Sequence, residues 1–189
     1  LVPALADDGV VSPPDSGSER PVVAELWAGT LAMFGERRIP LLGTVPIRTD
    51  SHVLAKATPD GSGWRLEQRT CSVEIAKAAG AQVWLDDSVP AVIPVASIHF
   101  QRGEDGTLAA PLWTSGWSAE DHDQDGQPGI TFHVKAPICG GELFVGNDAT
   151  STAKMAGALP LSGELKVTVE QQILGAHGAC LKLMARNRR

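Results

Sequence analysis

Ile130, Phe132 and Val134 alternate with Thr131, His133 and Lys135, and Leu165, Val167 and Val169 alternate with Glu164, Lys166 and Thr168. A period of two is the mark of a strand with one face buried. Both stretches therefore predict strands, with Thr131, His133 and Lys135 turned to water or to a polar cavity. Less regular apolar runs predict further strands over 23–31, 44–49, 64–69, 81–85, 95–100, 107–110 and 141–145. Pro46 places the second of these at an edge or a bulge, because proline cannot donate to a central ladder. Asp60-Gly61 and Asp105-Gly106 supply hairpin turns. Residues 71–75 continue a strand or, read through 74–80, form a short helix of good helix formers ended by Gly80. The two prolines of 86–94 argue against a helix there. The end, 173–183, reads as a strand end, a Gly-rich turn and a closing strand.

Eight to ten short strands with evenly spaced turns and at most one or two short helices give a mostly β chain. An antiparallel up-and-down barrel, lipocalin-like, is favoured over a β-sandwich, because closure removes the exposed edges that sequential hairpins would otherwise leave. Residues 1–21 contain DDGVVSPPDSGSERP, rich in Asp, Ser, Gly and Pro and without an apolar period, which predicts a linker-like segment. Residues 22–189 then form a single domain. The 20 Gly and 13 Pro among 189 residues agree with a turn-rich β fold.

Charge and cysteine usage narrow the function classes. A net charge of -6, with Arg37-Arg38 and the C-terminal arginines as the only basic clusters, lacks the basic footprint that nucleic acid requires. No run of about 18 apolar residues is present, so no transmembrane helix is predicted. The opening residues lack a charged stretch followed by an apolar one, so a targeting peptide is expected to be removed or absent. Cys71, Cys139 and Cys180 have no C-x-x-C spacing, which argues against zinc ribbons and thioredoxin-like chemistry. They allow one disulfide outside the cytosol. Cys71 with Cys180 is the expected pair, since both lie in apolar strand-like segments whereas Cys139 sits in a Pro-Ile-Cys-Gly-Gly turn.

No catalytic residues are expected. The chain has no G-x-S-x-G elbow, H-E-x-x-H, phosphate loop or dinucleotide fingerprint. Its histidines, at 52, 99, 122, 133 and 177, include no pair spaced to share a metal. Asp86-Asp87 reads as a turn, because adjacent acids on a strand cannot flank one bond. Trp113 and Trp117, in WTSGW, are candidates for contacting a ligand at a cavity mouth, while core filling is the ordinary use of tryptophan.

The strongest chemical signal is EDHDQDGQPGI, 120–130. Asp121, Asp123 and Asp125 match positions 1, 3 and 5 of a calcium loop, with Gly126 at the sharp turn and the Gln127 carbonyl at position 7. Phe132 stands where an EF-hand places its bidentate Glu, and a strand follows, so this is no EF-hand. Two readings stand: an acidic turn, or a loop whose mutually repelling carboxylates gather Ca²⁺. The stretch resembles the D-x-D-x-D-G loops of dockerin-like and thrombospondin type 3 repeats, a resemblance that implies a structural calcium ion outside the cell. The wider layout, with a Trp-x-Gly strand, a cysteine in the third strand and a D-x-D-x-D-G-x-P-G hairpin, resembles uncharacterised exported or lipid-anchored bacterial β-barrel proteins of lipocalin-like shape.

These features lead to a non-enzymatic β-barrel module, secreted or of the cell envelope, that binds a small apolar ligand or serves as a structural module. The alternatives are a calcium-shaped interaction or adhesion domain that binds a protein partner, and a hydrolase with dispersed catalytic residues.

Overall fold

The computed structural model describes residues 24–39, 43–156 and 162–186. The linker-like segment 1–21 lies outside them. In chain order the elements are β1 (Glu25–Ile39), β2 (Gly43–Asp60), β3 (Gly63–Ile75), β4 (Gln82–Trp84), α1 (Val89–Val92), β5 (Ala96–Arg102), β6 (Leu108–Trp117), β7 (Ile130–Ala136), β8 (Cys139–Met155), β9 (Gly163–His177) and α2 (Ala179–Arg186). The chain is mostly β, and all the strand pairs are antiparallel.

The strands follow the order β1-β2-β3-β5-β6-β8-β7-β4, with β9 also on β8. Strand β8 organises one end of the sheet. Its first half, from Cys139 to Val145, pairs with β7; its second, from Asn147 to Met155, pairs with β6. Strand β9 runs along both halves on the other side. Because β6 and β7 follow one another along one edge of β8, the loop joining them, 118–129, emerges where the two strands part. Among the described residues β1 pairs only with β2, and β9 only with β8, so hydrogen bonding leaves the sheet open at these ends.

The core lies under the middle strands. Ala55 and Ala57 of β2, Leu66 of β3, Ile98 and Phe100 of β5, and Leu108 and Ala110 of β6 form one buried cluster. Trp27 and Trp64, 4.9 Å apart, and Trp113 pack against it. Burying such side chains gains about 1.5–3 kcal/mol each. Pro46 lies opposite Glu36 of β1 at a level that β3, which joins β2 from Thr49 onward, does not reach. That is the marginal position the proline demands.

Three sequence expectations are corrected, and one open choice is decided. The end is not a closing strand: β9 stops at His177, Gly178 turns the chain at φ 93°, and Ala-Cys-Leu-Lys-Leu-Met-Ala-Arg forms α2, with Leu181 buried. All but the cysteine are strong helix formers. Of the two readings of 71–80 the strand holds: β3 runs to Ile75 and a tight turn follows, in which Ala78 and Ala81 exchange both backbone hydrogen bonds. Helix α1 forms despite two nearby prolines, because Pro90 falls in the first turn, where no N–H is needed.

The last correction concerns the cysteines. Cys139 is bonded to Cys180, with Cα atoms 5.6 Å apart, and Cys71 is free and exposed. The expected Cys71–Cys180 pair fails because α2 folds back beside the start of β8, bringing Cys180 to Cys139, the first residue after the Pro137-Ile138 hairpin turn. Cys71 occupies a bulge instead, since Thr70 pairs with Val53 and Ser72 with His52, leaving the residue between them without an opposite number.

Candidate metal centre

Loop 118–129 is held by its own backbone hydrogen bonds. Its base is closed by backbone bonds from His122 N to Gly129 O, 3.1 Å, and from Gly129 N to Glu120 O, 2.9 Å. Gly129 is required there. Its φ is 83°, and a Cβ at this position would collide with the Val145 carbonyl oxygen. Gln124 and Gly126 also adopt left-handed conformations, at φ 60° and 83°, and turn the chain back on itself.

Three carboxylates line the inside of this turn, each offering an oxygen within 4.8 Å of the others. Asp121 accepts from the amides of Asp125, 3.2 Å, and Gly126, 2.9 Å. Asp125 accepts from the Gln127 amide, 2.8 Å, and from the Thr131 hydroxyl, 2.6 Å. Asp123 Oδ2 accepts from the Thr131 amide, 2.8 Å. Its Oδ1 is shut away from water and has no hydrogen-bond partner among the described residues. Burial pushes the Asp123 carboxyl above the usual carboxylate range; the Thr131 amide opposes this, and the charges of Asp125 and Asp121 add to it.

Thr131 is the residue the sequence reading missed. Alternation turns it to water or to a polar cavity, yet it is buried, and it holds Asp123 through its amide and Asp125 through its hydroxyl. The alternation of β7 gave no warning, because the loop folds over the polar face of the strand near its start. The available signal was a threonine two residues after the Pro-Gly that ends the loop.

The other candidates are dispersed. Trp113 packs on the core cluster. Trp117 donates its indole N–H to the Val145 carbonyl, 2.7 Å, and lines an open cleft of about 610 Å³ with Thr114, Ser118, Asp148 and Gln172. The cleft therefore shares Trp117, Ser118 and Ala119 with the root of the acidic loop. Gln127 joins the site through its N–H. Asp86 accepts a turn hydrogen bond from the Val89 amide through its backbone carbonyl. Ser118 Oγ lies 3.3 Å from His122 Nε2, but among the described residues no carboxylate orients that imidazole as a triad would need.

The three carboxylates can hold a metal ion. Oxygens bound to one calcium at about 2.3–2.6 Å lie within roughly 5 Å of one another, and the loop meets that spacing. No known protein family, curated protein or solved structure matches the chain.

Proposed function

We propose that the protein is a non-enzymatic β module of the cell exterior or envelope whose 118–129 loop is set by Ca²⁺ and forms one wall of an interaction cleft. The observation that carries this reading is Asp123 Oδ1, an ionisable oxygen enclosed without a hydrogen-bond partner among the described residues, amid two further carboxylates. Such an oxygen costs stability unless a cation or a proton meets it. Ca²⁺ suits an all-oxygen, flexible loop, and Asp121, Asp123, Asp125 and the Gln127 carbonyl are its proposed ligands. Mg²⁺ demands a stricter octahedron and keeps most of its water.

The Cys139–Cys180 disulfide supports an oxidising compartment. No described helix is long and apolar enough to cross a membrane. The barrel reading draws support from β4, which pairs with β7 at one end of the strand order and also packs against β3, curling the sheet back on itself. The cleft beside Trp117 is the place for a partner, and its mixed lining of Thr114, Ser115, Trp117, Asp148, Gln172 and Val95 suits a polar peptide surface better than a wholly apolar ligand.

Thermal unfolding in calcium and in chelator tests the reading. With Kd on the order of 10⁻⁴–10⁻³ M, as in extracellular modules, calcium at ten times Kd adds about 1.4 kcal/mol. That corresponds to a rise in Tm of about 3–6 °C for a chain of this size. Equal midpoints in calcium and chelator would reject it.

A further inference from the structure

His133 belongs to a row that crosses four strands. Trp84, His133, Glu142 and His177 stand directly opposite one another on β4, β7, β8 and β9, so their side chains leave the same face. The His133 ring stacks on Trp84 at 5.3 Å. Its Nδ1 lies 3.6 Å from Glu142 Oε1, and the other oxygen of Glu142 lies 2.9 Å from His177 Nδ1. Its Nε2 lies 3.1 Å from Asp86 Oδ1, in the turn after β4. That contact is off the line of a hydrogen bond, and Nε2 is buried with no hydrogen-bond partner among the described residues. The His133 side chain is 21% exposed.

Each ring nitrogen of His133 thus faces a carboxylate. A neutral imidazole has one N–H and one lone pair, so one carboxylate always meets a lone pair. An imidazolium offers an N–H to both. The remaining charge on this face of β7 is Lys135, two positions on and exposed.

We propose that His133 is a proton-operated latch for residues 82–87: the protonated ring draws Asp86 and Glu142 in and holds β4 and its following turn on the sheet, and the deprotonated ring releases them. The segment is suited to this, because β4 pairs through only three residues. The turn matters to the surface around it. Leu85, Asp86, Asp87 and Pro90 face Cys71, Ser72 and Val73 of β3 across a hollow of about 290 Å³, so release of 82–87 widens a hollow that contains the free thiol. The link requires the imidazolium, so it is made when both ring nitrogens carry a proton and lost when one of them does not.

Amide hydrogen exchange over 80–88, corrected for intrinsic rates and recorded at about pH 5.5 and about pH 8 in calcium-free buffer, tests the latch independently of the metal loop. In the wild type, protection is expected to be about two- to fivefold higher at the lower pH, the range for a partly exposed ion pair. His133→Gln should abolish the difference, and His177→Gln should retain it. Asp86→Asn, which leaves the ring intact, should reduce it, and this arm stands if His133→Gln fails to fold. Equal protection at both pH values in the wild type, or an unchanged difference in His133→Gln or Asp86→Asn, overturns the proposal.

Discussion

The carboxyl of Asp123 has one oxygen held by the Thr131 amide and the other enclosed with no hydrogen-bond partner among the described residues. Because burial raises its pKa in the folded protein, the folded state holds this proton more tightly than the unfolded chain does. Without calcium, this group's contribution to stability is therefore greatest below the ordinary carboxylate range and falls as pH rises through the raised value. Calcium requires the proton to leave. Its affinity should rise with pH up to the raised Asp123 value and then level off, and Asp123→Asn should lose both the rise and most of the affinity. Titrations at a series of mildly acidic pH values measure this. The glycines of the loop separate by the same local logic. Gly129→Ala meets the Val145 carbonyl as well as an unfavourable φ, whereas Gly126→Ala meets no atom within 4 Å. Gly126→Ala should cost about 1–2 kcal/mol, the left-handed penalty alone, and Gly129→Ala more, read by urea denaturation.

At the level of elements, what a strand shows in its own residues was readable and what another strand decides was not. The strand cores of β7 and β9 were plain from alternation, and the acidic loop was plain because its three aspartates lie within five residues. The second half of β8 runs through Asn147, Asp148, Thr150, Ser151 and Thr152, with no apolar period to mark it; its place between β6 and β9 makes it a strand. Cys-Leu-Lys-Leu fits a strand period as well as a helix turn, which concealed α2. Glu142 and His177 are 35 residues apart, and only the β8–β9 register makes them neighbours. The disulfide follows from this geometry, since it ties α2 to the first residue of β8 across a separation of 41 residues. Cys139→Ser with Cys180→Ser should lower unfolding free energy by about 2–4 kcal/mol, the upper value being close to the chain-entropy figure for such a loop. Cys71→Ser should change it by less than about 0.5 kcal/mol, as for an exposed site. Denaturant midpoints of the two variants decide between this pairing and any other.

For the whole molecule, a mostly β antiparallel chain was legible from turn chemistry and strand count, while the arrangement of the ends was not, because whether β1 meets a distant strand or stays at the end of the sheet leaves no mark within either segment. The sheet places its core under β2, β3, β5 and β6 and sends the acidic loop out where β6 and β7 diverge along β8. A metal bound there would order the root of the Trp117 cleft without touching the core, so calcium should sharpen the loop and leave the far-UV spectrum nearly unchanged. The most direct test is calorimetric titration of Ca²⁺ into the chelator-treated protein and into Asp123→Asn. The wild type should show one weak site, with Kd on the order of 10⁻⁴–10⁻³ M, and the variant at least tenfold weaker binding. No binding heat for the wild type at millimolar calcium, with no accompanying thermal shift, or equal binding by both proteins, would contradict it.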